Sequence, residues 1–148
     1  MEITIREIRE SDREIVINMM RQFYSSPVVI TNGSEEIFAA NVDNCLSGKT
    51  CAEGFVFVDG DKIIGYGITA RSYATEFGSE CIWLEDIYIS SECRGRGVGS
   101  QFVRYIKARH PDKILRLETE ADNVKAVALY KRLGFKELPY FEMVNLGD

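Results

Sequence analysis

The chain has 148 residues, 45% hydrophobic and 28% charged, with a formal net charge of −5, four cysteines and one histidine. That length suits one domain able to bury roughly 70% of its unfolded surface, and the composition excludes disordered and fibrous classes. The acidic balance argues against broad nucleic-acid or anionic-membrane binding, which need surplus Lys and Arg, and leaves cationic partners open.

Ile3, Ile5 and Ile8 mark an opening strand. Ser11-Asp12-Arg13-Glu14 has the form of a capping box, and Ile15, Val16, Met19, Met20 and Phe23 follow at helical spacing, which places a helix at about 12–24. A loop with Pro27 and Asn32-Gly33 leads to a second helix that starts at Ser34-Glu35-Glu36-Ile37 and ends by Gly48. The period then changes. Phe55 to Val58 and Ile63 to Ile68 flank Asp59-Gly60-Asp61, the pattern of an antiparallel hairpin. Cys81 to Ile89 is a further strand. Gly97 to Arg109 is helical and stopped by Pro111, and Ile114 to Thr119 is a strand. Asp122 or Asn123 can cap a last helix whose C′ residue is Gly134, and 135–146 supplies one or two final strands interrupted at Pro139.

This order, β-α-α-β-β-β-α-β-α-β, predicts a mixed α/β (α+β) domain over residues 1–148. Its central sheet is mixed and largely antiparallel, of about six to seven strands flanked by about four helices, with a parallel crossover over 81–119. No signal peptide is visible behind Met1-Glu2-Ile3, and no run of 18 apolar residues occurs, so a cytoplasmic protein without membrane contact is expected. Cys45, Cys51, Cys81 and Cys93 form no Cys-x-x-Cys pair, and His110 is alone. Reduced thiols and no metal site are the expectation.

The most informative segment is Glu92-Cys93-Arg94-Gly95-Arg96-Gly97-Val98-Gly99-Ser100, between a strand and a helix. Alternating glycines let backbone N–H groups converge, and the helix N-terminus adds a partial positive charge, so the loop is an anion cradle to which Arg94 and Arg96 add full charges. The bland alternative is a tight turn with solvated arginines. A P-loop is excluded because G-x-x-x-x-G-K-[ST] is absent. A dinucleotide fingerprint nearly fits, with Ser100 in place of its third glycine and Glu118 as the ribose acid. It follows the fourth strand instead of opening the first βαβ unit, which argues against it.

Arg94-x-x-Gly97-x-Gly99 resembles the R/Q-x-x-G-x-G/A signature of the GNAT family of N-acetyltransferases, in which this loop grips the pyrophosphate of acetyl-coenzyme A. Asn123-x-x-Ala126-x-x-Leu129-Tyr130-x-x-Leu133-Gly134-Phe135 is similar to a second signature of the family, with Gly134-Phe135 one position earlier than in some members. Leu84-Glu85-Asp86-Ile87-Tyr88 resembles a run found in the family's polyamine acetyltransferases.

The resemblance implies an acetyl-CoA-dependent N-acetyltransferase acting on a primary amine. Backbone groups of Arg94, Gly95, Arg96, Gly97, Val98, Gly99 and Ser100 would hold the pyrophosphate. Those of Ile87, Tyr88 and Ile89 would run beside pantetheine like an added strand, with an N–H near Ile87 or Tyr88 facing the thioester oxygen. Asn123 would serve as N-cap and pantetheine contact. Tyr130 is the candidate general acid, although it also falls on an apolar stripe with Val127 and Leu133.

For the base, Glu85 competes with Asp86, Glu118, Glu120 and water. Alternation along a strand predicts that only one of Glu85 and Asp86 faces the acceptor. His110 is expected to be a surface C-cap. Tyr24, Phe38, Tyr73 and Phe77 are candidates for the acceptor cleft, and the charge balance favours a small cationic amine such as a polyamine or aminoglycoside. Two other functions fit the same motifs: a non-catalytic CoA-binding sensor or interaction module, and an acetyltransferase of protein N-termini or lysines. Pairs are common among such folds, so a homodimer is open.

Overall fold

The computed structural model describes residues 2–147. Its sheet has five strands in sequence order: β1 (Ile3–Glu7), β2 (Ala52–Asp59), β3 (Lys62–Ala74), β4 (Ser79–Ile89) and β5 (Ile114–Leu117). The first three junctions are antiparallel, and β4 pairs with β5 in parallel. The helices are α1 (Arg13–Tyr24), α2 (Glu35–Ser47), α3 (Val98–Arg109) and α4 (Val124–Arg132).

Strand alternation divides the core between the two faces of the sheet. Val56, Tyr66, Ile68 and Tyr88 pack with Val16, Met20, Phe38 and Val42 of α1 and α2. Phe55, Phe57, Ile64, Ile82 and Leu84 pack with Val98, Phe102 and Ile106 of α3. Gly67 sets how closely α3 approaches: a Cβ there would lie 2.5 Å from the Phe102 ring, so only glycine admits that ring against the strand.

Most helix ends follow their local chemistry. Ser34 accepts from Ile37 N–H at 3.2 Å, and Gly48 closes α2 in the left-handed region at φ +66°. Asn123 accepts from Ala126 N–H at 3.4 Å, so it and not Asp122 caps α4. The His110 N–H closes α3 on the Ile106 and Lys107 carbonyls.

The start of α1 differs from the expected Ser11 box. Glu10–Asp12 forms a short 3-10 turn, and Asp12, 3% exposed, is the anchoring residue. Its carboxylate accepts Arg9 N–H at 2.8 Å and both η nitrogens of Arg6 at 2.8 and 3.0 Å. A buried carboxylate with a forked guanidinium outcompetes a serine hydroxyl for the turn. The hydrogen bond from Arg6 holds the Asp12 carboxyl below its ordinary value of 3.8. The pair therefore stabilises fully above that value, and the contribution is lost as pH falls through the depressed one. Asp12→Asn should cost about 2–4 kcal/mol at neutral pH and flatten the acid arm of stability. Urea melts at several pH values would show this, and an unchanged arm would contradict it.

Two further expectations are corrected. The strands expected at Ile63 to Ile68 and Cys81 to Ile89 run on to Ala74 and start at Ser79, because Arg71 to Ala74 pair with Ser79 to Ile82 and leave only 75–78 as a turn. The final strands expected within 135–146 are not formed, and the sheet has five strands in place of six or seven. Tyr140-Phe141 and Met143-Val144 put apolar residues side by side, so no single face collects them. Phe141 and Met143 are 99% and 91% exposed, and Pro139 cannot donate to a ladder.

Candidate active site

The site begins where β4 parts from β5. Parallel pairing runs from Cys81–Ile114 to Leu84–Leu117 and stops there, while β4 continues to Ile89. From Glu85 to Ile89 the edge of β4 that faces away from β3 has no strand beside it. On the β3 side, Asp86 pairs with Ile68 and Leu84 with Thr69, so Glu85 is an extra residue without a partner. That bulge reverses the alternation. Leu84 belongs to the α3 core, yet both Glu85 and Asp86 line one cavity on the α1/α2 face. The alternation that would send Glu85 and Asp86 to opposite faces is broken for this reason.

The cavity holds about 300 Å³ and is lined by Tyr24, Asn41, Asn44, Cys45, Glu85 and Asp86, among others. Asp86 is 5% exposed, and its oxygens are committed. Tyr66 donates to it at 2.8 Å and Tyr24 at 2.9 Å. Burial pushes the Asp86 carboxyl up, while the two phenol hydrogen bonds pull against it. Burial first and then Asp86 push the Tyr24 and Tyr66 phenols up, so both stay protonated as donors. The Glu85 carboxyl accepts no hydrogen bond from the described residues. Burial raises its pKa, with further contributions from the charges of Asp86 and Glu142. The Cys45 thiol is pushed up to about 11, chiefly by burial, and is inert as a nucleophile at neutral pH.

The glycine loop lies between β4 and α3. Gly95 and Gly97 have φ +77° and +81°, and a Cβ on either would meet no atom within 4 Å. Positive φ explains why both are glycines, and the open space beside them leaves the backbone accessible. Gly97 caps α3, and Gln101 N–H donates to its carbonyl at 3.0 Å. The N–H groups of Val98, Gly99 and Ser100 therefore have no acceptor within the helix. These donors, converging at a helix N-terminus, suit a diphosphate. The Arg94 side chain is partly engaged elsewhere: its Nε donates to the Ile89 carbonyl at 2.8 Å, and its guanidinium lies 5.6 Å from the Tyr88 ring. It ties the loop to the end of β4. Arg96 is exposed.

Tyr130 packs against the α3-side core, edge-on to Phe135 at 5.8 Å, and burial raises its pKa. It lines a second, larger cavity of about 840 Å³ around β5 and α4, together with Glu118. Glu85 and Tyr130 thus approach the divergence of β4 and β5 from opposite faces. Of the proposed cleft aromatics, Tyr24 lines the smaller cavity and Phe77 the larger one. Phe38 is buried core beneath Tyr24, and Tyr73 points to solvent. Asn41 and Asn44 could have been suspected as an i, i+3 polar pair on a helix, whereas Tyr66 as a partner of Asp86 left no signal in the sequence. Among the described residues, no cluster of three or more His, Cys, Asp or Glu is placed to hold a metal, and no helix is long and apolar enough to cross a membrane.

Residues 16–135 match the model of the Acetyltransferase (GNAT) family. The chain belongs to that family. A thialysine N-epsilon-acetyltransferase of Bos taurus is 40% identical over 148 residues, covering 92% of this chain and 85% of that one. Among solved structures, a possible acetyltransferase of Clostridium difficile 630 superposes with a TM-score of 0.83 at 20% identity, covering 99% and 98% of the two chains. An aminoglycoside N-acetyltransferase in complex with CoA gives 0.81 at 17% identity, covering 97% and 94%. At these identities the solved structures show the fold, a mixed α+β GNAT domain. Membership and the named relative make the protein an acetyl-CoA-dependent N-acetyltransferase.

Proposed function

We propose that this GNAT protein acetylates a primary amine on a small cationic molecule, with Glu85 as the base and Tyr130 as the general acid. The observation that carries this reading is the β4 bulge, which turns Glu85 and Asp86 together into one polar cavity where β4 leaves β5. The bovine relative, named for the ε-nitrogen of thialysine, supports a small amine as acceptor.

The open glycine loop and the unpaired edge of β4 fit acetyl-coenzyme A, which supplies an activated acetyl thioester. The backbone N–H groups from Gly95 to Ser100 would hold its diphosphate, the Arg94 N–H being donated to the Ser91 carbonyl at 3.4 Å. The edge of β4 at Ile87, Tyr88 and Ile89 offers a strand-like partner for pantetheine and an N–H for the thioester oxygen. Asn123 fixes the start of α4, on which Tyr130 lies. An ammonium with pKa about 10 must lose a proton before it can attack. Asp86 is occupied by two phenols, which leaves Glu85 as the free carboxylate of the cavity. Tyr130, kept protonated by burial, holds a proton at its Oη for the departing thiolate.

A thiol-release assay across polyamines, an aminoglycoside, lysine-like amines and peptides tests the proposal. The expected result is release with small primary amines and no competition from peptides. Coenzyme A binding without release from any amine would replace the enzyme with a sensor, and preference for peptides would make it a protein acetyltransferase.

A further inference from the structure

Two carboxylates of the described residues are buried, Asp12 and Asp86. Arg6 matches the first with a forked ion pair. The second has no cation. Its neighbours are Tyr24 from α1, Cys45 from α2, Tyr66 from β3 and Glu85 beside it on β4. Glu53 of β2 lies toward Cys45 and Glu142 of the C-terminal segment toward Glu85, so the charges added nearby are negative. A charge buried in such surroundings destabilises the fold unless hydrogen bonds favour it. A staple between α1, β3 and β4 alone would need no charge.

The hydrogen bonds explain how the charge is kept. Asp86 Oδ1 accepts from the Tyr24 hydroxyl at 2.9 Å and Oδ2 from the Tyr66 hydroxyl at 2.8 Å. Neither phenol donates to any other group among the described residues. A proton on Asp86 would have to turn one phenol around, and that hydroxyl would then aim its hydrogen at no acceptor. Tyr66 is 1% exposed, and its ring packs on Tyr88, stacked at 6.1 Å, and on Phe23, edge-on at 6.4 Å. Its hydroxyl is therefore fixed on Asp86. The β4 bulge places Glu85 next in the chain and opens it to the same cavity. An ordinary carboxylate is a poor match for an ammonium of pKa about 10, and a fixed anion beside it narrows that gap.

We propose that Tyr66 is a positioning residue of the reaction, whose hydroxyl holds Asp86 as an anion beside Glu85. Tyr66 does not line the smaller cavity and acts through Asp86. The fixed charge makes Glu85 a stronger proton acceptor and favours a cationic amine in the cavity. The inference rests on the reading of Glu85 as the base.

NMR titration of isotope-labelled side-chain carboxyls reads this without turnover, with signals assigned through Glu85→Gln and Asp86→Asn. In Tyr66→Phe the Asp86 midpoint should rise by about half a pH unit or more, because the ionised form loses a donor. In Asp86→Asn the Glu85 midpoint should fall by about as much or more, because the like charge is gone. The acid limb of kcat/KM for a small primary amine should move to lower pH in both variants, further in Asp86→Asn, with a lower plateau in each. Tyr24→Phe removes the other donor and carries the same test if Tyr66→Phe does not fold. An Asp86 midpoint that ignores loss of the phenol, or a Glu85 midpoint unmoved in Asp86→Asn, would overturn the proposal and leave Glu85 as base. Midpoints that move as expected under an acid limb that stays in place would instead overturn Glu85 as the base, and the role of Tyr66 with it.

Discussion

Replacing Glu85 with glutamine is expected to lower kcat/KM for a small primary amine by about 10²- to 10³-fold, within the range of a lost general base, with coenzyme A affinity changed by less than about twofold. Glutamine keeps the size of the side chain in the bulge and makes no charge. The carboxylate has no hydrogen bond to lose among the described residues, so stability should move little. The pH dependence carries a sign. Burial, Asp86 and Glu142 raise the Glu85 pKa, so wild-type activity should fall as pH drops through that raised value, where the base becomes protonated. Between that value and the amine's pKa of about 10, the acceptor is mostly ammonium and the base is needed. The deficit of the variant should be largest in the lower part of this window and shrink toward alkaline pH, where free amine is abundant. Steady-state rates from mildly acid to alkaline pH would show it. A pH-independent deficit would move the role to water or to another carboxylate.

Tyr130→Phe should lower kcat by about 10²-fold, the lower end for a positioned general acid, with coenzyme A affinity preserved. The substitution removes one oxygen and keeps the ring against Phe135. Because the hydroxyl has no hydrogen-bond partner among the described residues, the melting temperature should hardly change. Burial alone raises the Tyr130 pKa, so the wild type should keep its acid to higher pH than an exposed tyrosine would. Stopped-flow thiol release alongside a coenzyme titration separates the two quantities. Turnover equal to wild type would remove Tyr130 from the chemistry and leave it as a core residue on the apolar stripe with Leu133.

Much of this architecture is legible in local patterns. The Asp59-Gly60-Asp61 turn, the Ser34 cap, the Gly48 stop and the Asn123 cap each involve residues within a few positions of one another, and each appears as the sequence predicts. The failures come from distant partners. Ser11 loses the cap of α1 because Asp12 has Arg6 to bind, a preference set by the side of β1 on which Arg6 emerges. The segment 135–146 has the apolar content of a strand but not its alternation, and no ladder forms there. In the site, the glycine loop and the Glu85-Asp86 pair stand out in the sequence, since their residue types carry the chemistry. That both carboxylates share a face does not, because a bulge depends on the register of β4 against β3.

Coenzyme A should bind on the open amide loop from Gly95 to Ser100, next to the unpaired edge of β4. Calorimetric titration of coenzyme A into the wild type and Gly97→Val tests it most directly. The account predicts saturable one-to-one binding by the wild type and a loss of at least about tenfold for the variant, whose side chain would both strain a φ of +81° and fill the space over the loop. No heat with the wild type, or equal affinity for the two proteins, would contradict it.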